Sequence, residues 1–297
     1  MKSPITIVTH SGSFHADDVC AVATLRIALG DAETRVIRTR DEKVIAEADY
    51  VVDVGGAYDP KKRRFDHHQV GGGGVRPNKI PYASFGLVWK AFGKKVCGSD
   101  PIAAMIDEKM VQSIDAIDNG IDIIDSKSHV YPYLFGHAIS AFLPSWKEAE
   151  KEGILNKSFR RALDFAQGVI SREIVREKDK VEGQKFVRKA YEKAKDKRVI
   201  IFDKNYAWGD VLNLYPEPLF AIYPQRPNWH VKAVRDNMRS FKNRIDFPRM
   251  WAGKRGADLA KVTGVADALF CHSNRFLAVA KSREGAIRLA ELALRSS

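Results

Sequence analysis

The sequence predicts a two-domain α/β protein, and three observations carry that reading. The chain has 297 residues, more than the roughly 100–200 that one domain usually holds. Through the first half, short β-branched runs alternate with helical patterns, the signature of a parallel sheet with helices on its faces. A charged, periodic stretch then separates this half from a second group of short apolar runs.

Taken in order, "ITIVT" (5–9) reads as a strand ending at His10, and "DDVCAVATLRIAL" (17–29) carries apolar residues at helical spacing. "TRVIRT" (34–39) and "DYVVDVGG" (49–56) read as further strands, with "EKVIAEA" a short helix between them. Helices are expected over 82–92 and 101–117, the second with Asp100 as N-cap and Pro101 at its first position. From 156 to 197, Phe159, Leu163, Ala166, Ile170 and Ile174 recur at three- and four-residue steps. This is one long helix or two in succession, with Gly183 the place for a break. "RVIIF" (198–202), "PLFAIYP" (218–224), "WHVKAV" (229–234), "DALFCH" (267–272) and "FLAVA" (276–280) follow as strands, with helices over 249–261 and 283–295. The expected division is an N-terminal parallel-sheet domain (1–150), a long helical connector (151–198) and a smaller mixed α/β domain (199–297).

Composition narrows the class. Hydrophobic content of 45% and charged content of 29% suit a folded globular protein. Cys20, Cys97 and Cys271 are odd in number and form no C-x-x-C pair, which excludes a disulfide framework and a thiolate zinc site. The N-terminus lacks a signal-peptide pattern and no apolar run of about 18 residues occurs, so a soluble, cytoplasmic protein without a membrane partner is expected. The net charge of +12 is unevenly spread. Residues 1–146 hold 17 Lys and Arg against 18 Asp and Glu, whereas residues 226–297 hold 15 against 6. This suits chemistry in one half and a polyanion held by the other.

In open α/β sheets, functional groups gather where loops leave the carboxyl ends of strands. Three such loops carry metal-ligand residues. "HSGSFHADD" supplies His10, His15, Asp17 and Asp18, Asp53 ends "YVVD", and "RFDHHQ" supplies Asp66, His67 and His68. "SIDAIDNGID" adds Asp115 and Asp118 on one helical face. A helix cap accounts for Asp17 or Asp18, and a turn for Asp53, only if each is taken alone. Carboxylates gathered at one sheet edge repel one another unless a cation neutralises them, and a pair of divalent ions does so. The glycines 71–74 suit a flexible surface loop or a close backbone approach to phosphate.

His15-x-Asp17, Asp53 closing a strand, Asp66-His67-His68 and then Asp118 resemble the motif order of the DHH phosphoesterase superfamily. "THSGSFHADD", "RFDHHQ", "IDAIDNGID" and "WHVKAV" most resemble the melanocyte-proliferating-gene family of DHH-like exonucleases, over nearly the whole chain. The resemblance implies a DHH-type N-terminal domain in which His10, His15 and Asp53 hold one metal. Asp17, His67 and Asp118 would hold a second, with Asp53 bridging, His68 facing the substrate phosphate and Asp66 orienting the histidines. His15 stands where superfamily relatives carry a first aspartate, which leaves open whether Asp17 or Asp18 is the ligand. Mixed imidazole and carboxylate ligands favour two Mn2+ ions, or another first-row ion, over an all-oxygen Mg2+ site.

In the basic second half, Arg226, Trp229, His272 and Arg275 lie beside expected strands and suit phosphate pairing and base stacking. The expected activity is a metal-dependent exonuclease on single-stranded RNA, and also DNA. It would act 3′ to 5′ and release nucleoside 5′-monophosphates, with a cleft between domains favouring strand ends. Two alternatives stand beside it. One is a phosphoesterase acting on pyrophosphate, a cyclic dinucleotide or a nucleotide bisphosphate; the other is a metal-stabilised nucleic-acid-binding module without turnover. Oligomeric state is left open.

Overall fold

The computed structural model describes residues 3–124, 129–149, 151, 153–237 and 240–296. The chain is a mixed α/β protein with two five-stranded sheets, as its sequence pattern predicts. It divides into compact units of residues 1–178 and 179–297.

In the first unit, β1 (Ile5–Thr9), β2 (Thr34–Arg38), β3 (Tyr50–Val52), β4 (Tyr58–Asp59) and β5 (Arg64–Phe65) form a sheet in the order β2-β1-β3-β5-β4. All pairings are parallel except β4 with β5. Alternation along the strands builds a core on each face. Ile7, Val52 and Phe65 join the larger core with α1 (Ala16–Leu29) and α3 (Ser84–Cys97), while Val8 and Val51 face α2 (Glu42–Glu47). The two-residue strands β4 and β5 are too short to leave a period in the sequence, which is why only the first three strands were legible.

The helix expected over 101–117 runs without interruption as α4 (Asp100–Ile106), a π-helical turn (Asp107–Val111) and α5 (Gln112–Asp118). The expected cap moves by one residue. Ser99 holds the extended N-cap backbone, and Asp100 lies inside the helix with its carboxylate 2.7 Å from Lys94 Nζ. α6 (Phe135–Ser140) has no counterpart in the sequence reading.

α7 (Ile154–Lys193) is continuous through Gly183. Phe159, Leu163, Ala166, Ile170 and Ile174 belong to the core of the first unit, and Val187 is buried in the second. Packing on either side outweighs the roughly 1 kcal/mol that a mid-helix glycine costs.

The second unit holds β6 (Val199–Ile201), β7 (Phe220–Gln225), β8 (Asn228–Ala233), β9 (Ala268–Cys271) and β10 (Leu277–Ala280), ordered β6-β7-β8-β10-β9. Only β6 and β7 are parallel. α8 (Gly209–Leu212), α9 (Gly256–Thr263) and α10 (Arg283–Arg295) complete it. The helix expected over 249–261 splits into a 3-10 turn at Arg249–Trp251 and α9, with Gly253 at φ 73° between them. Again the strands alternate: Phe220, Ile222, Val231 and Ala233 line one core, while Ala221 and Tyr223 face the other.

Candidate metal centre

The order β2-β1-β3 makes the chain leave β1 in opposite directions across the sheet, so the carboxyl ends of β1 and β3 flank a topological switch point. His10 follows β1, Asp53 follows β3, and Asp66-His67-His68 follow β5. His15 caps α1, and Asp17 and Asp18 occupy its first turn. Asp118 ends α5. Parallel pairing therefore delivers four distant segments to one place.

Asp53 lies at the centre. Its Oδ2 is 3.4 Å from His10 Nε2, and its Oδ1 is 3.5 Å from His67 Nε2. On the first side, His10 Nε2 is also 3.4 Å from Asp18 Oδ2, and His10, His15 and Asp18 offer donor atoms within 4.8 Å of one another. On the second, His67 Nε2 is 3.1 Å from Asp118 Oδ2 and 4.0 Å from Asp17 Oδ2. Asp17, His67 and Asp118 form the corresponding group. Asp17 and Asp18, between which the sequence left the choice open, face different sides of Asp53. Successive helical residues diverge by about 100°, so neighbours in sequence reach different partners.

These atoms are close without being satisfied. Asp18 Oδ2 and His67 Nε2 are buried without an aligned hydrogen bond, although His10 and Asp118 lie 3.4 and 3.1 Å away, a costly condition in a folded protein. Two donors that share one ion at about 2.1 Å lie about 3.0–3.4 Å apart, close to the separations here. The residues thus fit one or two divalent cations. His10 Nδ1 is 3.1 Å from the Ser11 carbonyl, which can only accept, so a neutral His10 holds its proton on Nδ1 and would turn the Nε2 lone pair to a cation.

Without a cation the electrostatics are unfavourable. Burial, with Asp53, Asp118 and Asp115 adding to it, pushes Asp17 well above the usual carboxylate range. Burial likewise brings Asp18 up to about 7 despite the nearby His10. Asp53 is held low, because His10 and His67 outweigh its burial. Burial opposes charge on His67, but Asp118, Asp53 and Asp17 raise it to about 10.

The supporting groups are those the sequence reading missed. The first N–H groups of α3 close on buried carboxylates: Ser84 N and Phe85 N donate to Asp17 at 2.9 and 2.6 Å, and Gly86 N donates to Asp115 at 3.0 Å. Ser84 Oγ donates to Asp53 Oδ1 at 3.0 Å. Asp53 adopts φ 56°, a left-handed backbone uncommon for a non-glycine residue, and its N–H donates to the Phe65 carbonyl at 3.0 Å. Asp115, expected on the same face as Asp118, instead meets Arg76 Nη1 at 2.6 Å. A Cβ on Gly86 would come within 1.9 Å of Asp115 Oδ2, so glycine near the start of an amphipathic helix was the readable signal.

Asp66 organises the histidine pair. Its Oδ1 accepts from His67 N (2.8 Å), His68 N (3.1 Å) and His68 Nδ1 (2.7 Å), and its Oδ2 accepts from Gly56 N (2.6 Å). The His68 ring remains largely exposed, with its Nε2 edge uncommitted.

Arg226, Trp229, His272 and Arg275 do not converge. β8 and β10 run antiparallel with Trp229 opposite Ala280 and Lys232 opposite Leu277. The Arg226–Trp229 pair and the His272–Arg275 pair therefore sit at opposite ends of the sheet. Trp229 packs against the core. Arg275 donates to Asp246 and to the Phe247 carbonyl, and His272 Nδ1 accepts from Asn274 N within the β9–β10 turn.

Among the described residues, no helix is long and apolar enough to cross a membrane. A MYG1 protein from Dictyostelium discoideum is 33% identical, with the alignment covering 99% of this chain and 98% of that one. One from Chlamydia pneumoniae is also 33% identical over 99% and 98%. A human protein named MYG1 exonuclease is 27% identical over 99% of this chain and 87% of its own. The profile of the MYG1_exonuc family, described as "Uncharacterised protein family (UPF0160)", matches residues 6–294, and the chain belongs to that family.

Proposed function

We propose that this protein is a metal-dependent phosphodiesterase of the DHH type that shortens single-stranded nucleic acid from an end, RNA in preference to DNA, releasing nucleoside 5′-monophosphates. The observation that carries the reading is the gathering of four imidazoles and three further carboxylates around Asp53, with two buried atoms, Asp18 Oδ2 and His67 Nε2, lacking an aligned hydrogen-bond partner. The naming of mammalian relatives as exonucleases supports a nucleic-acid substrate.

His10, His15 and Asp18 would hold one ion and Asp17, His67 and Asp118 the other, with Asp53 offering one oxygen to each side. When bound, such ions, Mn2+ by the mixed donor set, supply positive charge for the phosphodiester and lower the pKa of a water. The chain's own groups position and exclude. Ser84 orients Asp53, and the N–H groups of α3 fix Asp17. Asp66 acts as a positioning residue, turning His68 so that Nε2 can exchange a proton or hydrogen-bond with a substrate phosphate.

The test is to incubate the purified protein with Mn2+ and end-labelled single-stranded RNA and DNA. A ladder shortening from one end is expected, absent in EDTA. Asp53→Asn should lower the hydrolysis rate on the order of 1000-fold, the several kcal/mol that metal charge contributes, while RNA binding persists. No product with any divalent ion would overturn the reading.

A further inference from the structure

The face of the second sheet opposite Trp229 carries a cavity of about 450 Å³, within the 300–1,000 Å³ of ordinary small-molecule sites. Trp208 and Tyr223 supply aromatic walls, Asn205 and Gln225 amides, and Lys232 and Arg235 cations. Strand alternation explains the arrangement: Trp229, Val231 and Ala233 turn to the α10 core, and Lys232 turns the other way.

Charge makes the cavity unusual. Among the described residues no Asp or Glu lines it and neither Lys232 nor Arg235 has a carboxylate partner; the Arg235 guanidinium lies over the Phe241 ring, 4.7 Å from its centroid, which leaves its N–H edges to find an acceptor. Both are half-buried, and Lys232 is lowered by that burial and by Arg235 beside it. A pair of half-buried cations without a counter-charge is a vacant seat for an anion. Aromatic walls and amide edges alongside it suit a base, which stacks and offers hydrogen-bonding edges.

The geometry points to a nucleotide-binding site in the second unit that takes a base against Trp208 and a phosphate on Lys232 and Arg235. The nucleotide is either free or one unit of a strand. Its existence does not depend on hydrolysis at the first sheet.

The experiment is calorimetric titration of the full chain in EDTA, where no turnover occurs, with AMP and with a short oligoadenylate. Binding of AMP comparable to the oligomer identifies a free-nucleotide site, and binding of the oligomer alone identifies a strand subsite; either supports the proposal. Lys232→Gln and Arg235→Gln should each weaken binding about tenfold, the scale of one charge-assisted hydrogen bond. Trp208→Phe should retain most of it and Trp208→Ala little, with thermal melting confirming that each variant is folded. Asp53→Asn should bind like the parent. The proposal fails if neither probe binds, or if Lys261→Met, outside the cavity, weakens binding as much as Lys232→Gln does.

Discussion

Two sets of carboxylates lie in the first unit, and they are treated in opposite ways. Asp115 and Asp107 share the guanidinium of Arg76, at 2.6 and 2.8 Å, stacked over Tyr82. Burial opposes the Arg76 charge, but these two aspartates outweigh it and raise its pKa. Asp17, Asp18 and Asp53 receive imidazoles, N–H groups and the Ser84 hydroxyl, with no guanidinium or ammonium in hydrogen-bond contact among the described residues. The first set has its counter-charge within the chain and supports structure. The second lacks a counter-charge of that kind, and an external cation would supply one, which is why it is the candidate site.

The contrast can be broken most forcefully at Arg76. Arg76→Met leaves Asp115 buried and unpaired, and should cost about 3–5 kcal/mol of stability in urea titrations. A loss below about 1 kcal/mol would mean that Asp115 does not depend on its cation. Asp18→Asn should have the opposite sign. The Asp18 carboxyl, near 7 in the fold and about 3.9 when unfolded, contributes stability at low pH that is lost as pH rises through 7. At pH 8 in EDTA, the variant should therefore be more stable by about 1–3 kcal/mol. That advantage should vanish at pH 4 and reverse in saturating Mn2+. A variant that is less stable under every condition would place Asp18 among the structural carboxylates.

Ser84→Ala sharpens the comparison more gently. Removing the hydroxyl that orients Asp53 should lower Mn2+ affinity about tenfold, as loss of a ligand's hydrogen-bond partner typically does, with little change in melting temperature in EDTA. The smallest effect is protonic. Burial brings Asp18 up to about 7 and the surrounding carboxylates bring His67 up to about 10, and a proton on either must leave for metal to bind. Mn2+ binding should release protons and strengthen as pH rises from 6 to 8. Calorimetry in buffers of different ionisation enthalpy measures this, and zero proton release would contradict the ligand assignment.

Why some of this was legible follows from range. Strand-loop-helix order, the long α7 and the residue types that meet at the metal centre are written in local patterns of period 2 and 3.6. The short strands β4 and β5, the π-helical turn and the position of Ser84 depend on partners far along the chain, such as Phe65 against Val52 and Ser84 against Asp53. The four basic-half residues show the same limit. Trp229 and Lys232 are three apart in one strand and therefore face opposite sides, and only the cores on each side show which side holds the cavity.

By itself, the sequence determined the α/β class and the chemical character of the site, because imidazoles and carboxylates at strand ends are recognisable wherever they occur. Tertiary structure decided which carboxylate is paired. A carboxylate's role depends on what lies within a few ångströms, and Arg76, Ser84 and the start of α3 reach Asp115, Asp53 and Asp17 only when the sheet and helices have closed around them.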